Sequence, residues 1–176
     1  MRKRGKVKWS NKKAQINLSF GMIFSIILII VFIAFAFYAI GKFLNIQKAA
    51  KTSQFIEALK TDVDRMWKSS QGSQQVNYSL PGSVDYLCFA DLSPGNGKRG
   101  TNQNFYDDLK FVYSEKNNMF FYPVGSAGGV DATKIGNINL VEITAGENPY
   151  CIANVNGKIK LTIKKNINEP TVKITR

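Results

Sequence analysis

The residues whose types suit chemistry are few: two cysteines, a glycine-rich basic loop, two acidic pairs and an asparagine in a glycosylation pattern. Histidine is absent, which removes Ser-His-Asp and Cys-His nucleophilic sites and most zinc arrangements. Gly95-Asn96-Gly97-Lys98-Arg99-Gly100 has the composition of a phosphate loop. Arg99, however, stands where a Ser or Thr hydroxyl should follow Lys98 to reach a magnesium ion, and no helical pattern opens there. The stretch reads as a mobile loop tip. Asp107-Asp108 opens an expected strand and Asp62/Asp64 rides an expected helix, and neither pair gathers further carboxylates nearby in sequence. Both read as solvated charges. The expectation is therefore a chain that is not an enzyme and uses no cofactor or metal.

Cys88 and Cys151 each fall inside a strand-like run, and an even pair fits one disulfide if this region lies in an oxidising compartment. The alternative is two buried free thiols. Asn77-Tyr78-Ser79 matches the N-glycosylation acceptor pattern; Asn17-Leu18-Ser19 matches too, but at the mouth of an apolar segment.

These residues are positioned by two very different stretches of chain. No charged residue occurs from Ala14 through Gly41, a run that as a helix reaches roughly 42 Å against a hydrocarbon core of about 30 Å. Net charge is +12, yet the basic residues Arg2 to Lys13 cluster ahead of the run and every acidic residue lies at or beyond Glu57. That asymmetry fits a cytoplasmic N-terminus and a single membrane pass better than nucleic-acid binding, and no specific nucleic acid is expected as a partner. Phe35, Phe37 and Tyr38 suit an aromatic belt at the far interface. Ala34-Phe35-Ala36 offers a nominal signal-peptidase site, but the apolar region is longer than secretory signals carry. No cysteine follows for a lipoprotein anchor.

Beyond the run, residues 46–69 contain neither Gly nor Pro, and Ile56, Leu59, Val63 and Met66 recur at helical spacing with Ala49 and Trp67 beside them. One helix from about Gln15 to Ser69 would be apolar all round in its first half and one-sided in its second. The alternative is an anchor and a separate helix, broken at Gly41. The remainder reads as short strands at 84–90, 109–113, 119–122, 138–143, 150–155, 158–164 and 171–175, parted by Gly- and Pro-rich turns. Asn156-Gly157 between two such runs predicts a hairpin, because both central residues must take positive φ. In the second run Ile159, Leu161 and Ile163 face one way and the lysines the other. The fold class is α+β: a long N-terminal helix packed on a small, mainly antiparallel sheet domain. The boundaries are a leader at 1–14, a membrane helix at 15–44, an amphipathic continuation at 45–72 and a β-rich domain at 73–176.

Lys12-Lys13-Ala14-Gln15, the apolar run and the helix leading into a β domain together resemble archaeal type IV pilin-like proteins, whose class III signal peptides carry a basic leader. The resemblance implies that a prepilin peptidase cuts between Ala14 and Gln15 and leaves the apolar helix attached. It implies a lipid membrane and other pilin-like subunits as partners. The motif covers residues 12–44 and the rest matches by architecture alone. Ala14 stands where Gly is commoner, and Ser19 where a subunit-aligning Glu is often found. The expected function is thus a surface structural protein or filament subunit. The alternative is a single-pass membrane protein that does not polymerise and whose β domain is a binding module.

Overall fold

The computed structural model describes residues 19–176 of the chain. The expected cleavage site Ala14–Gln15 and the Asn17 glycosylation pattern lie outside the described residues. The fold is α+β, with one long helix and two small antiparallel sheets. Two compact units divide at Gly41/Lys42. Helix α1 (Phe20–Lys68) has 49 residues and is helical through Gly41, so no break occurs there. Ser19 opens it, its carbonyl accepting from the Met22 and Ile23 amides at 2.8 and 3.3 Å.

In the second unit the one-sided stripe of α1 is buried as its spacing requires. Phe55, Ile56, Leu59, Val63 and Met66 all enter the core, and Leu59 and Val63 are wholly covered. Burial of that kind stabilises by about 1.5–3 kcal/mol per side chain. Thr52, which no apolar pattern flags, is buried on the same face. Trp67, beside the stripe, stays partly exposed and donates its indole N–H to the Pro170 carbonyl at 2.9 Å. The helix ends at Lys68, and after a short turn the chain enters β1 (Gly72–Ser79), a strand that the polar sequence there does not announce.

The other elements are β2 (Tyr86–Phe89), α2 (Phe105–Lys110), β3 (Met119–Tyr122), β4 (Ala132–Thr133), α3 (Leu140–Ile143), β5 (Tyr150–Ala153), β6 (Lys158–Lys165) and β7 (Lys173–Thr175). They form two sheets where one was expected: β1-β6-β7 and β4-β3-β2-β5, antiparallel throughout. In β6 Ile159, Leu161 and Ile163 are buried and Lys158, Lys160 and Lys164 exposed, the alternation that the sequence predicts.

The Asn156-Gly157 turn forms, with φ of 53° and 75°, and Val155 and Lys158 exchange both backbone hydrogen bonds. The hairpin stops at that pair. Asn154 donates its side-chain amide to the carbonyls of Pro81 and Val84 at 3.0 and 2.7 Å, and its backbone N–H to Asp85 at 2.8 Å. These bonds hold β5 beside β2, while β6 departs to pair with β1 and β7.

Two expected strands are helical instead. Within 109–113, Leu109 and Lys110 close helix α2, where Tyr106 and Leu109 lie one turn apart and are both buried. Asp107 and Asp108 occupy its first turn, where carboxylates oppose the positive end of the helix dipole, so they do not open a strand. Within 138–143, α3 is started by Asn139, whose side chain accepts from the Glu142 N–H at 3.1 Å and donates to the Glu142 carboxylate at 3.2 Å. That reciprocal cap is a sequence signal, Asn-x-x-Glu, which outweighs the β-branched composition.

Because β2 and β3 are covered on both sides, the domain has two cores. Leu87, Phe89, Met119 and Phe121 face α1, and Cys88, Phe120 and Cys151 face α2 with Tyr106 and Leu109. The loop after β3 sits directly on α1: at Gly128 (φ +73°) a Cβ would lie 2.4 Å from the Ala49 amide nitrogen, so only glycine fits.

Candidate functional site

The described part of the first unit is the N-terminal part of α1. From Phe20 to Tyr38 the large apolar side chains of α1 are exposed. The Ser25 hydroxyl donates to the Gly21 carbonyl at 2.8 Å, so its polarity is met within the helix. A helix that is apolar all round, backbone-satisfied and uncovered by protein is suited to lipid. Among the described residues this is the one helix long and apolar enough to cross a membrane. The chain is compatible with a single-pass membrane protein on that ground.

In the second unit Cys88 and Cys151 stand directly opposite one another on β2 and β5 and are joined as a disulfide. Both are almost fully buried beneath α2. A bridge of this kind points to an oxidising environment for the domain. Asn77 lies exposed on the outward face of β1, with Ser79 on the same side and Tyr78 turned toward the core.

The 95–100 loop is not a free tip. Asp91 accepts from the Ser93 N–H at 3.1 Å and from the Asn96 amide at 2.8 Å. Asn148, fully buried, donates to the carbonyls of Asp91 at 2.8 Å and Gly97 at 3.2 Å. Lys98 is engaged by Asp107 at 2.8 Å, which holds the Asp107 carboxyl below its ordinary range. A depression of about 550 Å³ lies between this loop and α2, but of its two lysines Lys98 is paired with Asp107 and Lys110 lies over the Tyr106 ring at 4.8 Å, and its helix has only six residues. It offers no phosphate cradle. Asp64 accepts from the Asn137 side chain at 3.0 Å, and Asp62 bonds Arg65 and Tyr78, so the helix pair diverges rather than converging on an ion. No group of three or more metal-ligating side chains occurs among the described residues.

The structure brings together a set that sequence reasoning missed. Tyr78 donates its hydroxyl to the Asp62 carboxylate at 2.6 Å while its ring meets Phe55 edge-on at 5.3 Å. Beside it, Lys51, Gln54 and Ala58 of α1 and Asn77–Ser79 of β1 line a groove of about 290 Å³. The alternation of Val76 and Tyr78 with polar residues is too short a pattern to announce β1 or the groove beside it.

Burial, then the Asp62 carboxylate, pushes the Tyr78 hydroxyl above its ordinary value of 10.0. The folded state therefore holds this proton more tightly than the unfolded chain, so the stability it contributes is complete below about pH 10 and falls as pH rises beyond that. Tyr78→Phe is expected to cost about 1.5–3 kcal/mol at neutral pH, the range for a hydrogen bond to a charged group. It should also shallow the loss of stability above pH 10, read from urea midpoints between pH 7 and 11. An unchanged alkaline slope would deny Tyr78 this part. No family model, curated protein or solved structure matches this chain.

Proposed function

We propose that the chain is a type IV pilin-like structural protein of the cell surface, anchored with its N-terminus in the cytoplasm and its β domain outside. The observation that carries this reading is the order of parts. A basic leader ends in Lys12-Lys13-Ala14-Gln15, a charge-free apolar stretch follows, and its helix continues into the amphipathic stripe beneath the sheets. In this reading a prepilin peptidase removes residues 1–14, and apolar helices of neighbouring subunits bury against one another. The β domain forms the outer surface and takes part in adhesion. The buried Cys88–Cys151 bridge supports an extracytoplasmic domain. In this reading the chain has a structural role, without catalysis or cofactor.

Ser19 favours a second reading, since it lacks the carboxylate that would pair with a neighbour's N-terminal amine. The chain would then be a non-polymerising single-pass protein whose β domain is a binding module. N-terminal peptide mass spectrometry on the membrane-derived protein tests both. A mature start at Gln15 is expected, whereas an intact Met1 supports the plain anchor and a start after Ala36 overturns membrane retention.

A further inference from the structure

β1 is the longest edge strand of the domain, and among the described residues no strand pairs with its outer side. It pairs with β6 alone, and no other described group hydrogen-bonds its backbone. The opposite edge of the same sheet is guarded: Val172, just before β7, exchanges backbone hydrogen bonds with Asn137 and Asn139, and the Arg176 N–H meets the Tyr150 hydroxyl at 2.8 Å. Exposed edges are ordinarily blunted by charge, proline or a bulge. Gly72–Ser79 contains no charged residue and no proline, and its register with β6 runs without interruption over all eight residues.

The surroundings of the edge are specific. On the side toward α1 lies the groove between Gln54, Ala58 and Tyr78, floored by the Phe55 ring. On the outward face the register places Lys158, Lys160 and Lys164 beside Ser79, Asn77 and Ser73. Lys51 stands at the groove. The acid beside the strand, Asp62, is already held by Arg65 at 2.9 Å and by the Tyr78 hydroxyl. A strand added to β1 would sit about 5 Å from it and about 10 Å from β6, a gap that the flexible lysine stems can largely cross.

We propose that the β1 edge is a strand-addition site for an extended partner segment with acidic and apolar side chains in alternation. Backbone hydrogen bonds to Gly72–Ser79 hold the segment, its apolar residues enter the groove over Phe55 and Ala58, and its carboxylates meet the lysine row. Main-chain pairing supplies the affinity in this mode of recognition, and the alternate side chains supply the selectivity. The inference stands whether or not the chain polymerises.

The test uses the full chain in detergent micelles and a labelled, end-capped octapeptide alternating Glu and Val, followed by fluorescence anisotropy. Binding is expected, with slowed hydrogen exchange at the β1 amides. A peptide alternating Lys and Val should not bind. Methylating the backbone nitrogens of either the Glu or the Val residues blocks one edge of the peptide only. One of these two peptides should therefore bind about tenfold or more weakly while the other binds as the parent does. Ala58→Trp, at an exposed position, and Lys160→Glu with Lys164→Glu should each weaken the parent by about tenfold. Equal binding of both methylated peptides would reduce the interaction to charge alone and overturn the proposal, as would no binding of the parent.

Discussion

Replacing Ile27 and Ile30 together by lysine is expected to release the protein from the membrane fraction. Both side chains are exposed on α1 near the middle of its charge-free stretch, 55% and 60% respectively. The Leu, Ile, Val and Phe residues between Ile23 and Phe37 favour insertion by about 4–7 kcal/mol in total on a translocon scale. One Ile-to-Lys change removes about 3–4 kcal/mol of that, and two remove about 6–8. A single Ile30→Lys variant should therefore remain in the carbonate-resistant pellet and the double variant should leave it. If the double variant still sediments with membranes, the helix is held there by something other than its own transfer free energy.

The second large effect concerns the disulfide. Cys88→Ala with Cys151→Ala should lower the unfolding free energy of the β domain by roughly 4 kcal/mol in the chain-entropy model, since the bridge closes a loop of 63 residues. Domains are typically stable by about 5–15 kcal/mol, so the loss would remove a large share. Urea titration of the full chain in micelles, followed by tyrosine and tryptophan fluorescence, reads the shift. Burial adds a kinetic expectation. Cys88 is 0% and Cys151 2% exposed, so a thiol reductant reaches the bridge only when the domain opens. Reduction under native conditions should therefore be slow and should accelerate in parallel with unfolding as urea is added. Rapid reduction in buffer would mean that the cover provided by Tyr106, Leu109 and Phe120 is easily lost.

Several elements could be read from residue order because their determinants are local. Lys158–Lys165 alternates so regularly that any sheet must bury the same three residues. Ile56, Leu59, Val63 and Met66 share a face of any α-helix, whatever covers them. Asn156-Gly157 accepts positive φ at both positions, so a tight turn follows. The runs at 109–113 and 138–143 misled because a few β-branched or aromatic residues fit a buried helical turn as well as a strand. Tyr106 and Leu109 in α2, and the Asn139–Glu142 cap in α3, decided those cases.

The candidate site divides in the same way. Nothing in the sequence of β1 says that its neighbour on one side is β6 and that no described strand pairs with the other. Pairing is a long-range choice, made here by residues such as Asn154, whose bonds to Pro81 and Val84 send β5 and β6 into different sheets. The sequence by itself determined a lipid-suited helix, a one-sided continuation, an alternating lysine strand and a pair of cysteines, because composition and periodicity are properties of neighbours along the chain. The tertiary structure alone decided that the cysteines face each other, that two cores flank β2 and β3, and that β1 ends its sheet beside an open groove. Those outcomes depend on which distant segments exclude water from one another, and no local spacing encodes that.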